Sequence, residues 1–590
     1  MAIKPCVGTY LATRLIQLGI KHLFAVPGDY TSDLLEIIDQ QNGIERIGCC
    51  NELNAGYAAD GYARANGLGA VTTTTGVGAF SLLNAIGGAY VEKIPVITII
   101  GTLSNTKLLD EINAGELFHH NVNTSDFVKD VYKNVTVAFE RITNPLMAPA
   151  QIDRVITACI SQSRPAAIEI MEDCYYMPCP EPQGLLAPVP LYEPFSVLLE
   201  MSASNVYAKQ IVTAVFGPPA PAPVSGAVPD IYNLLKASKK PVFWIGKEIS
   251  VYGLEEKFLK LLSLVKAPFT SSLLGKSAIA ENNPWYIGVY NGVFTTDYTQ
   301  NIMKGCDCII GLGVWNTDLN NFGKPTLSAG NPATVFASRD VVKVGEELYV
   351  QVSLEILLDN LIDVIEAKGY TPVWNQTNPP PLPPMPPPAA ALTYDNFFAT
   401  LNNNLTTNNL VVAEIGLSTF GGSSFLRINR QNGFLGQTIW ASIGWSVPAG
   451  LGASFTPNTR AIVVVGDGAF KLTCQEISTM VKEKRNTVIF VLNNNVYAVE
   501  QILLNPAPFE KNSTVPFEAA NILQRWDYIS LMKGFSNNDA TAKSANVNTV
   551  QDLQNVFVSI KANPNSTFLV NINLNERDYP AAWGPFVPKN

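Results

Sequence analysis

Cysteine and histidine are scarce, charge is thin, and no hydrophobic run is long. Nine cysteines in 590 residues are too few for a disulfide framework. Cys49-Cys50 and Cys306-Asp307-Cys308 are not zinc spacings and no histidine stands near them, so buried free thiols are the expected reading. Charged residues make up only 15% against 47% hydrophobic, which excludes a disordered chain and predicts a well-buried, oligomeric globular protein. The 40 basic and 49 acidic residues leave a net charge of −9 with no Lys/Arg stripe, so nucleic acid is not an expected partner. The apolar runs at 94–100 and 461–465 are far too short to span a bilayer, and Met1-Ala-Ile-Lys-Pro-Cys-Val lacks the apolar core of a secretory leader. These absences predict a soluble, cytoplasmic protein with no membrane partner.

Proline is abundant and unevenly placed. The run Asn378-Pro-Pro-Pro-Leu-Pro-Pro-Met-Pro-Pro-Pro-Ala excludes helix and interior strand and predicts an extended spacer. A second proline-rich stretch spans 178–190 and recurs at Gly217-Pro-Pro-Ala-Pro-Ala-Pro. The breaks divide the chain into 1–185, 190–375, a linker at 376–390, and 391–590. In each part, short β-branched runs alternate with longer amphipathic stretches; 70–75, 96–100, 241–245, 308–312, 461–465 and 487–492 are examples. This is the pattern of parallel strands buried on both faces with helices between them. The expected fold class is α/β, with three doubly wound parallel-sheet domains. One repeat links the ends of the chain. Gly76-Val77-Gly78-Ala79-Phe80 matches Gly466-Asp467-Gly468-Ala469-Phe470, and both lead into a further strand, so the first and third domains read as diverged copies of one unit.

The third domain carries the clearest chemistry. Residues 461–470 read as a buried strand, a glycine turn and a helix start, which brings backbone N–H groups to a ligand edge with Asp467 at the strand end. Alone, Gly-Asp-Gly is an ordinary solvated turn, and Asn493-Asn494-Asn495 an ordinary polar loop. At a spacing of 27 residues from Asp467 to Asn494, the two strand ends present a carboxylate, an amide oxygen and a backbone carbonyl, hard oxygens suited to Mg²⁺.

With these residues in view, the sequence resembles the thiamine-diphosphate enzymes, and specifically the pyruvate decarboxylase family. The resemblance runs along essentially the whole chain and is weakest in the middle domain. It implies thiamine diphosphate and Mg²⁺ as cofactors, with Asp467, Asn494 and the Val496 carbonyl on the metal and Gly468 and Ala469 beside the diphosphate. Two departures stand out. Val496 occupies a position usually held by glycine, acceptable if its backbone angles are ordinary. Ala469 replaces a frequent serine and removes one hydroxyl contact.

The resemblance also assigns roles to residues that are bland by themselves. Glu52 opens a small-residue helix, where a glutamate ordinarily serves the helix dipole; in the family it faces N1′ of the aminopyrimidine and drives proton relay through the cofactor. His119-His120, two of only three histidines, match the family's twin histidines, Asp29 its active-site aspartate, and Glu500 its glutamate near the reacting carbonyl. His22 is read as a packing or surface residue. Ala441 and Ile443 match the segment that grips the aminopyrimidine, and Val499 lies beside the cofactor. The implied activity is non-oxidative decarboxylation of a small 2-oxo acid to an aldehyde and CO₂. Val499, Leu417 and Thr419 depart from the commonest residues, which predicts acceptance of branched or aromatic 2-oxo acids larger than pyruvate. The alternative is a carboligase of the acetolactate synthase type with FAD in the middle domain; the twin histidines and Glu500 argue against it. Because the first domain carries Glu52 and the histidines while the third carries Asp467 and Glu500, the resemblance implies a homodimer as the minimum active unit, assembling to a homotetramer. The ending from Tyr579 is expected to be a lid or a docked tail.

Overall fold

The computed structural model describes residues 4–122, 126–186, 224–320, 333–339, 341–350, 352–374 and 378–587. The proline-rich stretch around 217 and the boundary between the first two domains lie outside the described residues.

Among the described residues, three sheets succeed one another along the chain. The first is built from β1 (His22–Ala25), β2 (Glu45–Gly48), β3 (Gly69–Thr74), β4 (Val96–Thr102), β5 (Phe139–Ile142) and β6 (Ala166–Met171), in the order β2-β1-β3-β4-β6-β5. All its pairings are parallel. The central strands β3, β4 and β6 are buried along their full length, as helices on both faces require.

The second sheet contains β7 (Pro241–Ile245), β8 (Phe269–Ser271), β9 (Tyr286–Val289), β10 (Cys308–Leu312), β11 (Ala333–Ala337), β12 (Val341–Val344) and β13 (Glu347–Val350). Its order is β13-β12-β11-β10-β7-β8-β9. The β11–β12 and β12–β13 pairs are antiparallel, so this sheet is mixed at one edge rather than wholly parallel. The reason is local: Val341–Val344 and Glu347–Val350 are joined by only two residues, too few for a crossover helix.

The third sheet holds β14 (Asn409–Ala413), β15 (Phe434–Gly436), β16 (Arg460–Gly466), β17 (Val488–Asn493), β18 (Ala542–Val547) and β19 (Thr567–Asn573), ordered β15-β14-β16-β17-β19-β18 and all parallel. Counted within its own sheet, this order is that of the first sheet. The two matching glycine motifs fall in equivalent places, after the third strand of each unit. The helical segments after them differ. The first copy runs into one continuous helix, Val77–Val91, whereas the second breaks into Asp467–Thr473, a 3₁₀ turn at Cys474–Glu476, and Ile477–Lys482.

The first and third units touch directly. Helix Glu52–Asn66 lies against helix Ser446–Ala453, and both contribute to one apolar core. The contact is tied by polar groups: the buried Trp445 indole N–H donates to Asp60 at 2.9 Å, and Asp60 pairs with Arg64 at 2.6 Å. Residues 378–387 carry neither helix nor strand, as proline dictates. All nine cysteines are unpaired. No helix among the described residues is long and apolar enough to cross a membrane.

Candidate active site

A cavity of about 440 Å³ opens at the C-terminal ends of the third sheet's strands. This is the usual ligand edge of an open α/β sheet. Its floor is the second glycine motif. Asp467 is 2% exposed at the end of β16, and its carboxylate accepts from the backbone N–H of Gly468 (3.1 Å) and of Asn495 (2.9 Å). Burial pushes its carboxyl up to about 6, against the pull of those backbone donors and of Lys471. A cation beside it would relieve that penalty. Strand β17 pairs with β16 up to Leu492 opposite Gly466, which brings the asparagine run alongside Asp467.

The structure separates the three asparagines. Asn493 turns away and donates to Asn571 at 2.9 Å. Asn494 lines the cavity, and its amide oxygen accepts from the Val496 N–H at 3.2 Å. Asn495 takes the left-handed conformation, φ 61°. Val496 is not among the residues with positive φ, so its β-branched side chain sits in ordinary backbone and glycine is not needed there. Glycine is needed at 468, where a Cβ would overlap the Tyr497 ring. Asp467, Asn494 and the Val496 backbone therefore offer a hard-oxygen set at one spot, and these residues fit a magnesium-bound diphosphate.

Above this floor, Ala441 and Ile443 enter the lining together with Val499 and Glu500 from helix Ala498–Leu504. Ile443 is 41% exposed, which excludes a role as a plain core residue. Its segment is clamped from several sides. Trp440 donates to Asn84 (2.7 Å), Ser442 shares a hydrogen bond with Tyr57 (2.6 Å), and the Ser442 N–H donates to Gln437 (3.1 Å). Glu414, fully buried at the end of β14, accepts from Gly444 N–H (3.2 Å), Ser446 N–H (3.1 Å) and Ser446 Oγ (2.7 Å). Burial pushes the Glu414 carboxyl up to about 7, although these donors pull the other way.

Three residues of the site, Glu414, Trp583 and Leu503, are not among those the sequence singles out. Glu414 gives no signal there, because a buried carboxylate is visible only once its donors surround it. Trp583, in the 3₁₀ helix Ala581–Phe586, is fully buried and packs against Phe294, Phe420 and Phe586, so the C-terminal segment is docked and forms part of the wall. Leu503, four residues past Val499, extends the apolar side, as helical spacing could have suggested. One expectation is corrected. Leu417 lines the cavity, but Thr419 is wholly buried and donates its hydroxyl to the Glu414 carbonyl at 2.7 Å, so it does not face a substrate.

The remaining candidates gather elsewhere, on the first sheet. Glu52 is the first residue of its helix, half-buried, with its carboxylate 3.5 Å from the Cβ position of Gly78. Asp29 begins a 3₁₀ turn after β1, and both histidines aim their Nε2 atoms at its carboxylate. His119 hydrogen-bonds one oxygen and His120 lies 3.5 Å from the other. The His119 ring stacks on Tyr30 with planes 10° apart. His120 takes φ 70°, and its carbonyl occupies the space a Cβ on Gly76 would need. The first glycine motif thus presents the histidine pair, as the second forms the cavity floor. Burial raises the Asp29 carboxyl, but the His119 hydrogen bond and both imidazoles outweigh it and hold the group below its ordinary value. Glu52, Asp29, His119 and His120 are not in the lining of the 440 Å³ cavity. His22 belongs to neither cluster; its ring packs on Phe455.

Comparison with known proteins decides the family. Family models for the N-terminal TPP binding domain, the central domain and the C-terminal TPP binding domain of thiamine pyrophosphate enzymes match residues 6–124, 228–359 and 414–571. The chain belongs to the thiamine pyrophosphate enzyme family. Within that family it is 31% identical to a probable pyruvate decarboxylase, Pdc101, of Schizosaccharomyces pombe, over 93% of this chain and 90% of the relative. It is 30% identical to pyruvate decarboxylase 1 of Pisum sativum, over 93% of this chain and 86% of that protein. Among solved structures, benzoylformate decarboxylase from Polynucleobacter necessarius superposes with a TM-score of 0.75 over 98% of this chain and 100% of the other, at 18% identity, a likeness of fold. This thiamine pyrophosphate enzyme groups with the decarboxylases.

Proposed function

We propose that the protein decarboxylates a 2-oxo acid to an aldehyde and CO₂ without oxidation, using thiamine diphosphate and Mg²⁺. The observation that carries this reading is the joint presence of the Asp467–Asn494–Val496 oxygen set and Glu500 in one apolar-walled cavity. Bound thiamine diphosphate supplies a carbon nucleophile and an electron sink for the departing carboxylate. Asp467, Asn494 and the Val496 carbonyl would hold Mg²⁺ and through it the diphosphate, with Gly468 and Ala469 alongside. Ala441 and Ile443 would hold the aminopyrimidine, and Glu52 would share a proton with its N1′ nitrogen.

Asp29, His119, His120 and Glu500 are the groups that move protons to and from the reacting carbonyl and the product carbon. Leu417, Val499, Leu503 and Trp583 give the cavity an apolar wall. Such a wall keeps water from the reacting carbon and favours loss of the substrate's charge. It also suits a side chain longer than methyl, so branched or aromatic 2-oxo acids are proposed alongside pyruvate.

Since Glu52 and the Asp29 cluster do not line the cavity that holds Glu500, a second copy of the chain is proposed to bring them to it. The homodimer is then the minimum active unit, and a pair of dimers its assembly.

The test is a set of steady-state rates with pyruvate, 2-oxoisovalerate, phenylpyruvate and indolepyruvate, with thiamine diphosphate and Mg²⁺ present. Aldehyde and CO₂ in equal amounts from at least one acid are expected. Absence of aldehyde from all four would refute the reading.

A further inference from the structure

The Asp29–His119–His120 cluster has a second chemical capability. One carboxylate oxygen and two imidazole nitrogens lie within 4.8 Å of one another, and no other group of three such ligands occurs among the described residues. We infer that these three side chains form a second cation site, selective for a borderline ion such as Zn²⁺ over Mg²⁺, whose filling stops turnover. The inhibitory effect rests on the proton-transfer roles proposed above; the binding itself does not.

The donor set argues for the ion class. Zn²⁺ takes imidazole nitrogen and carboxylate oxygen at about 2.0–2.2 Å and often keeps a position open to solvent. Two histidines and one carboxylate leave such open positions. Mg²⁺ demands oxygen ligands and gives up its water reluctantly, so it is drawn to the Asp467 site instead. The two sites therefore sort the ions by donor atom.

The geometry is held before any ion arrives. Tyr30 stacks on the His119 ring at 5.0 Å and meets the His120 ring edge-on at 6.0 Å. The backbone of His120 is fixed against Gly76. Both Nε2 atoms already converge on the one carboxylate, so a cation would have to displace the proton between His119 and Asp29 and draw those two groups slightly apart to enter. In the single chain the side chains of Asp29, His119 and His120 are 48%, 58% and 29% exposed, so the chain that carries them does not itself close them off from an ion. Once ligated, neither Nε2 has a lone pair or a proton to exchange, so the proton route through these two atoms is blocked.

The experiment is equilibrium dialysis of the thiamine-diphosphate-loaded enzyme against Zn²⁺ in saturating Mg²⁺, with both metals quantified and turnover measured on the same samples. One Zn²⁺ per chain beyond the Mg²⁺ is expected, with activity falling in proportion and returning when a Zn²⁺-selective chelator is added. Losing a mere outer-shell partner of a metal costs about 10–100-fold in affinity, so losing a ligand in Asp29→Asn or His120→Gln should weaken Zn²⁺ binding by at least about 100-fold. Those variants are compared at matched thermal stability. In Asp467→Asn, Zn²⁺ binding should persist while Mg²⁺ and cofactor are lost, which separates this site from the cofactor site. No Zn²⁺ beyond the Mg²⁺, or undiminished Zn²⁺ binding in both cluster variants, overturns the site. Stoichiometric Zn²⁺ with full turnover overturns its inhibitory role and the proton-transfer assignment together.

Discussion

Glu414 and Ser446 are joined twice, by the serine backbone N–H at 3.1 Å and by its hydroxyl at 2.7 Å, both on the same carboxylate oxygen. A third donor, the Gly444 N–H, reaches that oxygen at 3.2 Å. One buried side chain thus fixes the chain immediately after Ile443. Removing it in Glu414→Ala strands these donors, at a cost of about 3 kcal/mol or more. The expected result is weaker thiamine diphosphate binding, read by fluorescence titration, together with a lower unfolding midpoint. An Ala variant that binds cofactor like the parent would show that the turn holds its shape without Glu414.

The same residue shapes the pH profile. Its carboxyl lies at about 7 in the folded protein against an ordinary value of 4.5. Between those pH values the folded chain keeps a proton that the unfolded chain releases, so stability falls as pH rises through that window and levels off above it. The span corresponds to about 3 kcal/mol. Glu414→Gln, which cannot titrate, should flatten this part of the profile. Parallel denaturation curves of the two proteins from about pH 4.5 to about pH 8 measure the difference, and an identical slope in both would contradict the prediction.

Glu52 sits half-buried at a helix start, where its carboxylate lies close to Gly78. Glu52→Gln keeps the shape of the side chain and should therefore keep the fold and its melting temperature. Turnover should drop by at least about 100-fold, the usual scale for losing a positioned acid–base group. Near-parental activity would remove Glu52 from the chemistry.

Magnesium removal tests the floor of the cavity. Prolonged chelation in cofactor-free buffer should release thiamine diphosphate, and Mg²⁺ added with cofactor should restore activity. Asp467→Ala should fail to recover under the same treatment, because among the described residues no other buried carboxylate lines the cavity floor. Cofactor retained through chelation would point to a metal-independent grip.

Val499 borders the cavity next to Glu500. Val499→Ile adds one methylene to the apolar wall, an effect of about 1–3 kcal/mol in discrimination. The expected change is a fall of about 10-fold or more in kcat/KM for phenylpyruvate relative to pyruvate. An unchanged ratio would place the substrate chain against another wall, with Leu503 and Trp583 the next candidates.

Much of the architecture was written in the chain's local grammar. Runs such as 461–465 and 96–100 are β-branched and apolar on both faces, so they must be interior parallel strands whatever surrounds them. Proline at 378–387 forbids regular structure by its own geometry. The glycine motifs and the 27-residue spacing from Asp467 to Asn494 are equally local, because adjacent strand ends are set by strand and helix lengths.

Tertiary structure alone decided matters of direction and distance. Asn493 and Asn494 are chemically identical neighbours; only strand alternation and the amide of Asn571 decide which one faces the cavity. Thr419 and Leu417 are two residues apart, yet one hydroxyl is consumed by a carbonyl while the other side chain reaches the wall. Glu414, Trp583 and the His119–Asp29–His120 convergence bring together residues far apart in the chain, 30 positions for Glu414 and Gly444, 90 for His119 and Asp29, and 289 for Trp583 and Phe294. Such contacts depend on how whole sheets and helices settle against one another, and a periodic pattern carries no record of that.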